Sequence, residues 1–241
     1  MATLLALLGV FLIGLSRAGF ATGLGMLSTP LVAQALPART AIGVILPLLC
    51  LADLFTIVVY WRRWRTHVIA WPLVGTLVGI AGATAFVQSI SELALRRSIG
   101  AVGMVLTILL VVRDLYHPHA VYRPAAWHGV LVGIAAGVSS TIAHAAGPIV
   151  ALYLLAQRLD KTAFVATTGL FFTVNNLLKV PPYVATGLVD GATLGLSLRY
   201  AAAVPVGIAL GWWANRHVPQ KHFDTIVAVL MIATSLELLL R

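Results

Sequence analysis

The chain has 241 residues, of which 60% are hydrophobic and only 10% charged, with a mean hydropathy of +0.99. A soluble domain of this size needs about a quarter of its residues charged to cover its surface, so the composition excludes one and requires an integral membrane protein. The net charge of +9 does not signal nucleic acid here, because the basic residues sit in short loops between apolar runs, which is the positive-inside pattern. A single cysteine, Cys50, excludes a disulfide framework and a cysteine metal cluster.

In chain order the first feature is an apolar run over 3–36, interrupted near its middle by Gly23-Leu24-Gly25 and followed by Pro30. Its first basic residue, Arg17, comes after the opening apolar stretch, so the segment lacks the basic start of a cleavable signal and is read as mature structure. Three spans follow, at 40–61, 67–89 and 92–113, each near the roughly 20 residues an α-helix needs to cross a bilayer. Alternating ten-residue strands of the kind a membrane β-barrel requires are not found.

Residues 114–127 form a polar linker, with His117 and His119 near Asp114 and with His128 just beyond. Imidazoles and a carboxylate suit zinc or copper. The favoured reading is a cytoplasmic linker with interfacial aromatics, with no metal or cofactor.

The second half repeats the first. A Gly- and Pro-interrupted run at 128–158, broken around Ala145-Ala146-Gly147-Pro148, precedes spans at 162–185, 197–216 and 221–240. A shift of 123 positions pairs Gly14 with Gly137, Ser16 with Ser139, Gln34 with Gln157 and Tyr60 with Tyr183; a shift of 128 pairs Val78-Gly79-Ile80 with Val206-Gly207-Ile208. Repeat 1 is therefore 1–113 and repeat 2 is 128–241. Each contains an odd number of crossings, five or three, whether its hairpin spans or re-enters, so the repeats are inverted relative to each other. Nine basic residues fall on the linker's side of the predicted topology and five on the other. That bias puts the linker in the cytoplasm and both termini outside, in the cell membrane.

A helix broken inside a bilayer begins its second half with unpaired N–H groups and a partial positive charge, an anion site that needs no full cation. The expected substrate contacts are Gly23, Leu24, Gly25 and Met26 at the first break and His144, Gly147, Pro148 and Ile149 at the second. Asn175, Asn176, Lys179 and Arg17 supply side chains. Glycine also serves ordinary helix packing, and exposed Gly and Ala faces permit a homodimer; two breaks at matching positions favour a site. Ionisable residues inside spans are functional candidates by default. Asp53 and His144 are the candidates for proton coupling, while Asp53 serves equally as the partner of Arg17.

At these residues the chain resembles the TauE/SafE family of membrane permeases. The resemblance rests on the hairpins Gly14 to Pro30 and Gly137 to Pro148, then Tyr153, Lys161, Phe164, Thr168, Phe171-Phe172 to Asn176, Lys179 and Gly187. It implies an all-α exporter of sulfite or small organosulfonates that works by secondary transport, not an enzyme. Two competing readings are an intramembrane hydrolase using Ser139 and His144, and a non-transporting membrane assembly subunit.

Overall fold

The computed structural model describes residues 2–17, 24–115, 125–217 and 220–240. They form eleven α-helices: α1 (Ala2–Arg17), α2 (Leu24–Ala35), α3 (Ala38–Val59), α4 (Thr66–Ser89), α5 (Glu92–Leu115), α6 (Ala126–Ala143), α7 (Gly147–Ala156), α8 (Lys161–Ala185), α9 (Gly191–Tyr200), α10 (Ala203–His217) and α11 (Gln220–Leu240). Five of them, α3, α4, α5, α6 and α8, are long and apolar enough to cross a membrane, and a sixth span arises if the bent pair α9–α10 is one crossing.

Burial follows the rule for a protein dissolved in lipid. Leu4, Leu54, Val58, Leu77, Leu131, Leu177 and Leu198 point outward, while Asp53, His144, Asn175, Asn176 and Lys179 are buried. Apolar side chains gain nothing by leaving hydrocarbon, whereas a polar group there must find a partner within the protein.

Helix contacts are made through glycine. A Cβ on Gly14 of α1 would overlap the carbonyl of Val204 on α10, and one on Gly207 of α10 would overlap the carbonyl of Phe11 and approach the Cα of Gly14. The same contact recurs between α4 and α6. A Cβ on Gly137 would meet the Thr76 carbonyl at 2.6 Å, and one on Gly79 would meet the Ile134 carbonyl and the Cα of Gly137. With lipid on both sides there is no hydrophobic drive to bring helices together, so close backbone approach supplies the van der Waals contact that holds them. The small-residue faces at these positions are thus occupied within the chain.

Two local features anchor the ends of the bundle. The backbone N–H of Ala38, at the start of α3, donates to the carboxylate of Glu92 at the start of α5, and Arg39 donates to the carbonyl of Ile90. Asp160 caps α8 by accepting from the N–H of Ala163 at 2.9 Å.

The single span expected over 197–216 is instead α9 and α10, bent by 41°. Asp190 starts the earlier helix by accepting from the N–H of Thr193 at 2.8 Å, while the Thr193 hydroxyl receives the N–H of Asp190 at 2.8 Å. Pro205 explains the bend: it has no N–H for the carbonyl of Ala201, which takes the N–H of Val204 at 3.1 Å instead. By contrast Pro181 and Pro182 lie within α8 without ending it.

The two interrupted runs are hairpins of short helices. The first helix ends at Arg17 and the next begins at Leu24; the second pair is separated only by residues 144–146. With 12 and 10 residues, α2 and α7 are about 18 and 15 Å long, roughly half the hydrocarbon thickness.

Candidate functional site

The site is built where α8 packs on the end of α6. Asn175, Lys179 and Tyr183 are four residues apart, so they share one face of α8, and that face meets the last turn of α6. Carbonyls in the final turn of a helix run short of intrahelical partners, and side chains of α8 add donors there beside the N–H of His144, which caps the Ser140 carbonyl at 3.0 Å. Tyr183 donates its hydroxyl to the carbonyl of Thr141 at 2.6 Å, and Asn175 donates to Ser140 Oγ at 2.7 Å. Fully buried, Lys179 places Nζ 2.9 Å from Ser140 Oγ, 3.3 Å from the Ser140 carbonyl and 2.9 Å from His144 Nδ1.

His144 sits in the break itself, with a left-handed backbone at φ 50 that ends α6 and redirects the chain into α7. Its Nε2 is 2.9 Å from the carbonyl of Ile42 on α3. A carbonyl only accepts, so Nε2 carries the proton and Nδ1 presents a lone pair to Lys179. Three acceptors thus surround Nζ, the number an ammonium group needs, and the cation lies at the negative end of α6.

A second polar cluster faces this one across α8. Asn176 donates to Asp53 Oδ2 at 2.7 Å, and Arg17 pairs with Asp53 Oδ1 at 2.8 Å. The Arg17 guanidinium also lies over the ring of Phe172, 4.9 Å from its centre. Arg17 Nε is buried and has no hydrogen-bond partner among the described residues.

Between the clusters is a cavity of about 90 Å³, lined by Ser16, Arg17, Gly25, Met26, Leu49, Thr56, Ser140, His144, Gly147, Val165, Thr168, Gly169, Phe172 and Asn176. It has room for several water molecules, the scale of a small oxyanion. The first turns of both α2 and α7 reach it, through Gly25 and Gly147. A Cβ on Gly147 would meet no protein atom within 4 Å. A larger hollow of about 610 Å³ between α3 and α8 is lined almost wholly by apolar side chains, among them Leu46, Leu54 and Val180, with Asp53 also in its lining.

Of the residues expected from sequence, Arg17, Gly25, Met26, His144, Gly147 and Asn176 line the cavity. Lys179 and Asn175, expected beside the anion, lie one layer back behind Ser140, whose hydroxyl holds Asn175 and whose hydroxyl and carbonyl hold Lys179. Pro148 is buried in the first turn of α7, and Ile149 packs into the apolar core. Leu24 is the first residue of α2, and Gly23 lies outside the described residues, as do His117 and His119 of the linker. Among the described residues no group of His, Cys, Asp and Glu is placed to hold a metal. Ser16, Thr56, Ser140, Thr168 and Phe172 line the cavity without having been expected there. Ser16, beside Arg17, and Thr168 and Phe172, within the α8 motif, carried the signal by position alone.

The hydrolase pairing is not formed. Ser139 donates to the carbonyl of Ala136 at 3.2 Å, while both nitrogens of His144 are engaged by Ile42 and Lys179.

The family model described as sulfite exporter TauE/SafE matches residues 6–238. The chain belongs to the TauE/SafE family. No curated protein and no solved structure matches it. TauE/SafE proteins are transporters rather than enzymes, so the chain is a multi-pass membrane transporter of sulfite or a related anion. The match takes in α1 through α11 and both clusters that border the cavity.

Proposed function

We propose that the chain is a secondary transporter that exports a small oxyanion, sulfite or a small organosulfonate, across the cell membrane. The anion is held in the 90 Å³ cavity at the N-termini of the two broken helices, α2 and α7. The observation that carries this reading is the meeting of those two helix starts, with Arg17, Ser140 and Asn176, around one space. Main-chain N–H groups in a first turn have no intrahelical acceptor, and the dipole there favours negative charge. Arg17 Nε adds a buried donor awaiting an acceptor.

Alternating access follows from rocking repeat 1 (1–113) against repeat 2 (128–241), joined by the cytoplasmic linker 114–127. The glycine contacts support the duplication, and the odd number of crossings in each half is what makes the repeats inverted in this reading. The α1–α10 contact of Gly14 with Gly207 and the α6–α4 contact of Gly137 with Gly79 exchange under the same shifts that align the halves in sequence. Asp53 and Asn176, 123 positions apart, meet each other across the centre. Asp53 and His144 are the groups we assign to any proton coupling.

The test is thermal unfolding of the purified protein with sulfite, sulfate, alkylsulfonates and carboxylates. A ligand that binds only the folded form stabilises it by about 2.7 kcal/mol at a hundred times its dissociation constant. A rise in melting temperature with sulfite or a sulfonate is expected; indifference to every anion would refute the site.

A further inference from the structure

The charges around the cavity do not cancel. Arg17 is always ionised. Asp53 is ion-paired through Oδ1 with Arg17 at 2.8 Å and accepts from Asn176 at Oδ2 at 2.7 Å, and a carboxylate set between a guanidinium and an amide donor is held without a proton. The three acceptors around Lys179 Nζ fit an ammonium, and the bond from His144 Nε2 to Ile42 with Nδ1 turned to Lys179 fixes a neutral imidazole. Two cations and one anion leave one net positive charge inside the bundle, at membrane depth, where an uncompensated charge is expensive. Every other acidic residue of the chain lies at or near a helix end: Glu92, Asp114, Asp160, Asp190, Asp224 and Glu237.

We propose that the cavity selects its substrate by charge, taking a monoanion whose remaining substituent is small, apolar and uncharged, and rejecting dianions and zwitterions. This rests on the anion-site reading above and narrows it. A monoanion brings the buried set of charges to zero, whereas a dianion overshoots by one and must be stripped of a larger hydration shell. A sulfonate carrying an ammonium group brings a further cation into the same space, and the carboxylate nearby among the described residues, Asp53, is already held by Arg17 and Asn176. Met26, Leu49, Val165 and Phe172 give the substituent an apolar wall. Ethanesulfonate fits these requirements, as does singly ionised sulfite; sulfate and 2-aminoethanesulfonate do not.

The experiment measures binding of ethanesulfonate, sulfate and 2-aminoethanesulfonate to the purified full chain at one pH and ionic strength. The three share an SO₃ head and differ in charge. Ethanesulfonate is expected to bind at least about ten-fold more tightly than either of the others, a difference of about 1.4 kcal/mol. Asp53→Asn raises the net charge by one and should move the sulfate-to-ethanesulfonate affinity ratio at least about ten-fold toward sulfate, which loss of structure alone does not do. Sulfate or 2-aminoethanesulfonate binding the native chain as well as ethanesulfonate overturns the charge rule while leaving the anion site standing. Should the native chain bind none of the three, nor sulfite, the site itself falls and the rule with it. If Asp53→Asn fails to fold, the three affinities of the native chain decide the matter alone.

Discussion

Lys179 and Asp53 are the two residues on which the interior depends, and for different reasons. Lys179 holds the end of α6 by donating to Ser140 and His144 rather than by touching the cavity. Its replacement by Met strands His144 Nδ1, while the Ser140 carbonyl keeps the N–H of His144 at 3.0 Å, and an unmet buried acceptor costs about 1–3 kcal/mol. Lys179→Met is therefore expected to lower the melting temperature as well as transport, and an unchanged melting temperature in a transport-dead variant would place the lysine at the anion after all. Asp53 and Arg17 form a buried pair, and removing one partner leaves an uncompensated charge, at about 3–5 kcal/mol. Arg17→Gln alone should show that loss, while Arg17→Gln with Asp53→Asn recovers part of it; thermal unfolding of the two singles and the double measures the coupling. Additive losses would mean that the 2.8 Å pair contributes nothing. The Arg17–Asp53 pair was legible in the sequence as two opposite charges inside apolar spans; the Asp53–Asn176 contact was not, since a repeat shift aligns two positions without saying that they touch. The part played by Ser140 was not, since a serine in an apolar helix also satisfies itself on a carbonyl of its own turn, as Ser139 does.

Among the elements, each break is a pair of helix ends, and the glycines around it have separable tasks. Gly14 and Gly137 let helices meet backbone to backbone, so a methyl group there must push α10 or α4 away. Gly147 faces the cavity, where a methyl group meets no protein atom. Gly14→Ala and Gly137→Ala are thus expected to destabilise by about 1–3 kcal/mol through overpacking. Gly147→Ala should stay within about 0.5 kcal/mol of the native stability yet weaken anion binding by filling the space beside the start of α7. Gly82→Ala, whose methyl group also meets nothing within 4 Å, should change neither property. Melting temperature and anion affinity measured on all four sort the two tasks; a stable, fully binding Gly147→Ala would remove α7 from the site. The breaks at Arg17–Leu24 and Ala143–Gly147 were readable because glycine and proline interrupt runs that are otherwise apolar. The bend between α9 and α10 was hidden. Gly191 to Arg199 carries too little hydropathy to announce a membrane helix, and the capping by Asp190 that starts it is a short-range signal that a search for apolar spans passes over.

At the scale of the whole molecule, the uneven distribution of basic loop residues leads to an orientation and the orientation to a driving force. Nine basic residues on the linker side against five opposite are the ground on which we propose a cytoplasmic 114–127 with both termini outside. In a Cys50→Ser background, a cysteine at Ala120 should react with a membrane-impermeant maleimide only in inside-out vesicles, and one at Ala2 or Leu240 only in right-side-out vesicles. Labelling of the linker and both ends from one side would leave the two halves with even numbers of crossings and end the inverted arrangement. If the orientation holds, a monoanion leaving the cell moves down a negative-inside potential, gaining about 2.3 kcal/mol per 100 mV. That gain corresponds to an accumulation ratio of roughly 50-fold, enough for net export without a coupled ion. In proteoliposomes loaded with a substrate monoanion, imposing a potential negative inside should speed efflux and collapsing it with a potassium ionophore should slow it. Efflux that ignores the potential but responds to a proton gradient would mean that one proton leaves with each anion, and would turn attention to the Asp53 and His144 clusters as its carriers.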